Sequence, residues 1–268
     1  MAKHLLKDLS FREFRARLAE RPVILLPFGS QEEQGPFCPM GDYMLTEALA
    51  DRVAESSGAI AAPTIPFGYA DYFRGVPGGI QLRAATFAML LEDICRNFID
   101  HGVEHLLIFN GHTGNAPVID QTVRLLKQST GLVIPFLNIW RAMTPEVQQR
   151  IYGGRAAEHL GHGADPLTSV YLHLFPELVR IEGGAPAARH KVLGLPHSGL
   201  GAVKFQGVEV NIPLDVHELG DSGIVSGDPS LASAEIGRQI VEHVVKFTTD
   251  FITHFRAQSP RVKPGGPQ

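Results

Sequence analysis

Short unbroken apolar runs, Val23 to Leu26, Ala59 to Ala62, His105 to Phe109 and Leu132 to Leu137, alternate along the chain with segments whose apolar residues recur at helical spacing. A strand with one wet face alternates in polarity, so an unbroken run bounded by turn formers such as Arg21-Pro22 reads as a strand covered on both faces, as in a parallel sheet. Phe11 to Leu18, Thr46 to Ser56, Phe87 to Asp100 and Val118 to Lys127 read as the intervening helices, with Leu90, Leu91, Ile94 and Phe98 on one face of the third. Such alternation predicts an α/β fold with a mostly parallel sheet and right-handed crossovers. Ala232 to Phe255 is a further long helix whose apolar side, from Ile236 to Phe251, covers a sheet face. A chain of 268 residues with 44% hydrophobic content is enough for a sheet covered on both sides. No linker or repeat divides it, so 1–258 is expected to be a single domain, with 259–268 a flexible tail rich in proline and glycine.

Polar clusters fall where the strands end, the place at which open parallel sheets bind ligands. The first runs from Gly29-Ser30-Gln31-Glu32-Glu33-Gln34-Gly35-Pro36 to Gly41-Asp42, directly behind the apolar run. Glu32 and Asp42 are two hard oxygen ligands supplied by one loop that its glycines and prolines hold in shape. Asp42 also stands where a helix starts and reads equally as its cap. The second cluster, Asn110-Gly111-His112-Thr113-Gly114-Asn115, offers the His112 imidazole, which a divalent ion takes beside carboxylates. A turn residue bonded to backbone is the plainer reading of His112. A third cluster, His159 to Ser169, opens an apolar helix at Val170 to Leu174. Three such loops can converge on one ion, although Asp165 before Pro166 is by itself an ordinary helix start.

Other residues narrow the field. Cys38 and Cys95 are too few for a disulfide framework and are not spaced as a zinc motif. Cys38 lies in the first polar loop without an assignable basic partner, so it reads as a small buried hydrophobe. Trp140, the single tryptophan, follows the last apparent strand and can stack on a planar substrate at a pocket mouth or anchor a core or interface. A net charge of −4 without a basic stripe argues against nucleic-acid binding. No apolar stretch approaches the ~20 residues of a spanning helix, and the start lacks a signal peptide's pattern, so no membrane partner and a cytoplasmic location are expected.

Pro27 to Asp42, Asn110 to Asn115, His162 to Ser169 and Gly227 to Glu235 resemble, in order, four motifs of the creatininase (creatinine amidohydrolase) family. Phe67 to Asp71 and Val76 to Ile80 are similar to its active-site loop and its F-P-G-T segment. The resemblance implies a three-layer α/β/α sandwich, a divalent-metal site of Zn²⁺ or Mn²⁺, hydrolysis at a carbonyl-type carbon and a ring-like homohexamer. It carries departures too. Gln34 and Phe37 stand where the family has histidines, and Leu167 where it has a glutamate; Gln34 and Leu167 look like lost partners of one of two ions. One ion is therefore expected on Glu32, Asp42 and His112, with Asp165 as a fourth ligand. His162 is expected to carry a proton to the leaving group. Gln34, Asp71 and Trp140 are expected to touch substrate.

Two functional classes follow. The first is a metal-dependent hydrolase of a small polar, cyclic molecule, either a creatinine-like lactam or a keto-inositol. The form Glu-Glu-Gln-Gly-Pro with Met-Gly-Asp is similar to the branch that opens 3-dehydro-scyllo-inosose. The alternative is a catalytically silent relative that binds a small ligand or serves in an assembly.

Overall fold

The computed structural model describes residues 3–181, 190–220 and 222–261. Helix α1 (Phe11–Leu18) opens on a capping box between Ser10 and Glu13. Strand β1 (Ile24–Phe28), helix α2 (Tyr43–Ser57), strand β2 (Ile60–Ala61), helix α3 (Ala84–Asp100), strand β3 (Leu106–Asn110), helix α4 (Ala116–Thr130) and strand β4 (Phe136–Asn138) follow. The four strands form a parallel sheet in the order β2-β1-β3-β4. Beyond it come α5 (Pro145–Tyr152), α6 (Ala156–His159) and α7 (Leu167–Leu174). Two small antiparallel pairs, β5 (Lys191–Val192) with β6 (Leu195–Pro196) and β7 (Ala202–Phe205) with β8 (Val208–Asn211), precede α8 (Val216–Leu219) and the long α9 (Ala234–Arg256).

Period-two alternation in the central strands sorts the core into two layers. Leu25, Leu107 and Phe109 pack with Leu49 and Val53 of α2, Val147 of α5, Val170 of α7 and Ile240 and Val244 of α9. Ile24, Leu26, Phe28 and Ile108 face the other way, onto Phe87 and Leu91 of α3 and Ile119 and Leu126 of α4. The result is the three-layer α/β/α arrangement, and the continuous apolar runs follow from burial on both faces. A third cluster, Phe73, Leu214, Val216, Leu219 and Val225, ties the loop after β2 to the region of α8.

Several boundaries differ from the sequence reading. Helices α3 and α4 begin three and two residues earlier, because apolar periodicity marks only the buried face and their first turns are small or polar, and α2 extends back from Thr46 to Tyr43, directly behind Asp42. The strand expected over Leu132 to Leu137 shrinks to Phe136–Asn138. Pro135 has no N–H to give a ladder, although its carbonyl accepts from Ile108 at 3.0 Å, and Leu132 pairs antiparallel with Arg261 instead. That bridge also holds the first part of the expected tail: Pro260 accepts from Val133 at 2.8 Å and Arg261 Nε meets Glu104 Oε1 at 2.6 Å. Residues 262–268 lie outside the described residues. Among the described residues no helix is long and apolar enough to cross a membrane.

Helix α9 crosses α7 at Gly237, where an added Cβ would lie 1.9 Å from the Ser169 carbonyl oxygen. In an open helix Gly→Ala gains up to about 1 kcal/mol. Here the neighbour is backbone, and overpacking of that kind costs about 1–3 kcal/mol. Gly237→Ala is therefore expected to lower the midpoint of chemical denaturation; a raised midpoint would contradict the close helix crossing.

Candidate metal centre at the carboxyl edge of the sheet

Strands β1 and β3 are paired in register, Phe28 beside Asn110. The chain leaves β1 towards β2 on one side and leaves β3 towards β4 on the other, so their carboxyl ends border the switch point of the sheet. The loop after β1 carries Glu32 and Asp42, and the turn after β3 carries His112. Each is buried, with 3%, 1% and 3% exposure. Their ligand atoms all lie within 4.8 Å of one another, the single such group among the described residues.

Asp42 occupies the position before α2 but its carboxylate does not cap that helix. It accepts from Ser30 N–H at 2.6 Å and Ser30 Oγ at 3.1 Å, and its Oδ2 lies 3.0 Å from His112 Nδ1. Glu32 Oε1 lies 3.1 Å from the same nitrogen and accepts from Gln34 Nε2 at 2.9 Å. Glu32 Oε2 is buried without a hydrogen-bond partner among the described residues. On the far side of the imidazole, Nε2 lies 3.1 Å from the Tyr69 carbonyl and 3.3 Å from the Tyr72 hydroxyl. A carbonyl only accepts, so Nε2 carries a hydrogen and Nδ1 is the nitrogen free for a ligand. Burial works to discharge His112, but the Glu32 and Asp42 carboxylates push its pKa up to about 10. Burial raises Glu32 against the pull of His112. A proton between these groups is thus strongly held, and a divalent ion is the other cation that satisfies the set. The donor set and the orphaned oxygen fit such an ion.

Asparagines lock the turn. Asn110 Nδ2 donates to the His112 carbonyl at 2.6 Å and to Asn138 Oδ1 at 2.7 Å, linking β3 to β4. Asn115 receives the Tyr69 N–H at 2.8 Å and donates to the Gly29 carbonyl at 3.2 Å. Gly111 admits α2 closely, since a Cβ there would fall 1.8 Å from Thr46 Oγ1.

A cavity of 710 Å³ opens over the centre, and its lining includes Glu32, Gln34, Asp42, Asp71, His112, Trp140, His162 and Asp165. The structure brings all the anticipated site residues to one cavity, but not into one ligand sphere. Asp165 stands apart from the triad: its Oδ1 accepts from Ser169 N–H at 3.0 Å and its Oδ2 faces His159 Nδ1 at 3.3 Å. His159, packed 4.8 Å from the Tyr152 ring, supports Asp165 from below. Asp71 sits at the rim beside Arg74, whose Nε donates to it at 2.8 Å. Trp140 is fixed by its Nε1–H, which donates to the Gly111 carbonyl at 2.7 Å. Cys38 is half-buried and its thiol is pushed up to about 11 by burial, which suits a packing role.

Glu33 is the residue that sequence reasoning missed. Its Oε1 lies 2.7 Å from His162 Nε2 and its Oε2 accepts from Gly35 N–H at 2.6 Å. Burial acts to lower the His162 pKa, yet the hydrogen bond and charge of Glu33 leave it raised. The ring of Phe73 packs 4.6 Å from the His162 ring. The signal was the consecutive pair Glu32-Glu33, because neighbouring side chains on extended backbone point opposite ways.

Together these features define a three-layer α/β/α protein with a buried dicarboxylate–imidazole centre at its sheet edge. Residues 7–252 match the sequence model of the creatininase family (creatinine amidohydrolase), and the chain belongs to that family. It is 31% identical over 190 residues to a creatinine amidohydrolase of Pseudomonas putida, covering 65% of this chain and 73% of the relative. It is 25% identical over 267 residues to a 3-dehydro-scyllo-inosose hydrolase of Thermotoga maritima, covering 96% and 85%. A mycofactocin precursor peptide peptidase of Mycolicibacterium smegmatis is 27% identical over 248 residues, covering 88% and 86%. Among solved structures, a mutant creatininase of Zn-Zn type superposes with a TM-score of 0.76 at 27% identity, covering 96% of this chain and 100% of that one. A manganese creatininase gives the same values. The named relatives are hydrolases.

Removing the Asn115 side chain leaves the part-buried Tyr69 N–H and the buried Gly29 carbonyl without these partners, at about 1–3 kcal/mol for a buried group left unpaired. Asn115→Ala is expected to lower the denaturation midpoint accordingly. An unchanged midpoint would show that the amide does not lock the two loops.

Proposed function

We propose that the protein is a metal-dependent hydrolase that holds one divalent ion, zinc in preference to manganese, on Glu32, Asp42 and His112. Its reaction is the opening of a C–N bond or ring at a carbonyl-type carbon of a small cyclic substrate, such as a creatinine-like lactam or a keto-inositol. The observation that carries this reading is the buried Glu32 Oε2, without a hydrogen-bond partner among the described residues, beside a second carboxylate and His112 Nδ1 in the lining of the cavity. When bound, such an ion lowers the pKa of its water to about 7 and polarises a carbonyl.

The chain's own groups supply the rest. The Tyr69 carbonyl holds His112 in the tautomer that leaves Nδ1 free. His162, whose Nε2 is committed to Glu33, carries the proton for the leaving group at Nδ1. Glu33 is a positioning residue: it fixes the ring and favours its charged form, as the carboxylate of a hydrolytic triad does. Trp140 presents a ring held rigid by Gly111, and the Gln34 carbonyl oxygen is left to accept from a substrate N–H.

One ion is favoured over two by three side chains. Gln34 directs a donor at Glu32, Leu167 is apolar, and Asp165 is engaged with Ser169 and His159. A homo-oligomer, hexameric by the family resemblance, belongs to the same reading; exposed Phe205, Val208 and Val210 on the β7-β8 hairpin support a contact there.

Elemental analysis of the gently purified protein is expected to find about one zinc or manganese per chain, as for a site with three protein ligands and an open position. The ion should be lost in Glu32→Ala and His112→Ala and kept in Asp165→Asn. Absence of metal from the parent after reloading would overturn the metal reading, and two tightly bound ions would overturn the single-ion form. In the metal-loaded enzyme assayed on creatinine and on 3-dehydro-scyllo-inosose, Glu33→Gln is expected to lower kcat about 10- to 100-fold with KM little changed and metal content intact. An effect on KM alone would remove Glu33 from the proton path.

A further inference from the structure

We infer that the site takes neutral amides or lactams bearing an apolar aryl or branched-alkyl substituent, an inference that rests on the hydrolase reading above. A cavity of 710 Å³ is far larger than a single small polar ring, and lies within the ~300–1,000 Å³ of pockets that enclose drug-sized molecules. The volume beyond the metal centre is walled by Trp140, Leu167, Leu200, Ile212 and Leu214. Leu214 is buried in the third apolar cluster and Leu200 and Ile212 pack against it, so this wall is the open side of a fixed core rather than a set of loose side chains. Burying such surface against a substrate is favourable at roughly 25 cal/mol per Å².

Charge and hydrogen bonding point the same way. Among the described residues the lining includes no lysine or arginine, while it includes five acids, Glu32, Asp42, Asp71, Asp165 and Asp215. Apart from the proposed ion and His162 at the floor, an anionic substituent finds no cationic side chain among the described residues of this lining. Polar side chains around the floor are already engaged with protein partners: Gln34 with Glu32, His162 with Glu33, Asp165 with Ser169, and Asp71 with Arg74. A polyhydroxylated ring loses its hydrogen bonds to water on entering such a wall and recovers few of them, whereas a phenyl or branched-alkyl group has none to lose. The reacting amide lies at the polar floor and its substituent lies along Leu200, Ile212 and Leu214.

The test uses the full-length, zinc-loaded protein and four probes: creatinine, benzylcreatinine, N-acetylphenylalanine amide and 3-dehydro-scyllo-inosose. Dissociation constants come from titration calorimetry, and fluorescence of Trp140, the only tryptophan, reports whether binding is at this cavity. The two phenyl probes are expected to bind about 10- to 100-fold more tightly than creatinine, the gain for burying one aromatic group. Ile212→Asp should reduce that preference at least fivefold without changing zinc content. Creatinine or 3-dehydro-scyllo-inosose binding as tightly as the phenyl probes would overturn the inference, as would an unchanged preference in Ile212→Asp. Tight, Trp140-reported binding of the phenyl probes with no hydrolysis of any of the four would sustain the inference and overturn the hydrolase reading.

Discussion

Two carboxylates and one imidazole nitrogen share a buried space in which any cation placed between them, a proton or a metal, is strongly held, and the surrounding structure is arranged to keep them there. Two like charges about 4 Å apart repel by roughly 4 kcal/mol at the effective dielectric of a protein. Glu32 and Asp42 hold their positions because each is tied down elsewhere, Asp42 by both donors of Ser30 and Glu32 by Gln34. His112 is tied from behind by the Tyr69 carbonyl. Glu32 Oε2 is still left without a hydrogen-bond partner among the described residues, so the group fits a cationic ligand better than further packing.

The sheet makes that arrangement rigid. Parallel pairing of β1 with β3 sets Phe28 beside Asn110, so the loops that follow start side by side. Asn110 and Asn115 then bind β3, β4, the first loop and the Tyr69 segment into one network. The two consecutive acids of the first loop face different partners. Glu32 turns to His112, and Glu33 turns to His162. A single strip of backbone therefore positions both the ligand set and the histidine proposed to move protons.

Much of this was legible in the sequence, for identifiable reasons. Unbroken runs such as Val23 to Leu26 could only be strands covered twice, and the polar clusters behind them marked the carboxyl edge. The helix start near Tyr43 was legible from Asp42 before it, whereas that at Ala84 was not, because its first turn, Ala84-Ala85-Thr86, carries no apolar periodicity. The length of β4 was hidden by Pro135, whose neighbours look strand-like while its nitrogen cannot pair. Asp42 was readable as a cap or a ligand, and only the direction of its carboxylate, towards Ser30 and His112, separates the two. Asp165 carried the opposite ambiguity. It keeps the family's polar position, but its oxygens face Ser169 and His159, contacts set by the folding of α6 and α7 that no spacing discloses. Glu33 was visible as a residue and invisible as a partner, because its histidine lies on a loop more than a hundred positions away.

The departures from the family pattern form a physical set. A second ion beside the first would need further anionic or imidazole ligands on the cavity side of Glu32. Gln34 offers an N–H in that direction, which repels a cation, and Leu167 offers hydrocarbon. Either change alone would leave a crippled second site with an unpaired buried acid or histidine, at a cost of the order of 1–3 kcal/mol. Made together, they leave none, since the remaining acid of that region, Asp165, is bonded inward. Leu167, where the family resemblance implies a glutamate, moreover lies in the same cavity lining as Leu200 and Ile212 and extends the apolar wall. On the one-ion reading, the loss of metal-binding capacity and the gain of room for an apolar substituent are two effects of the same residue.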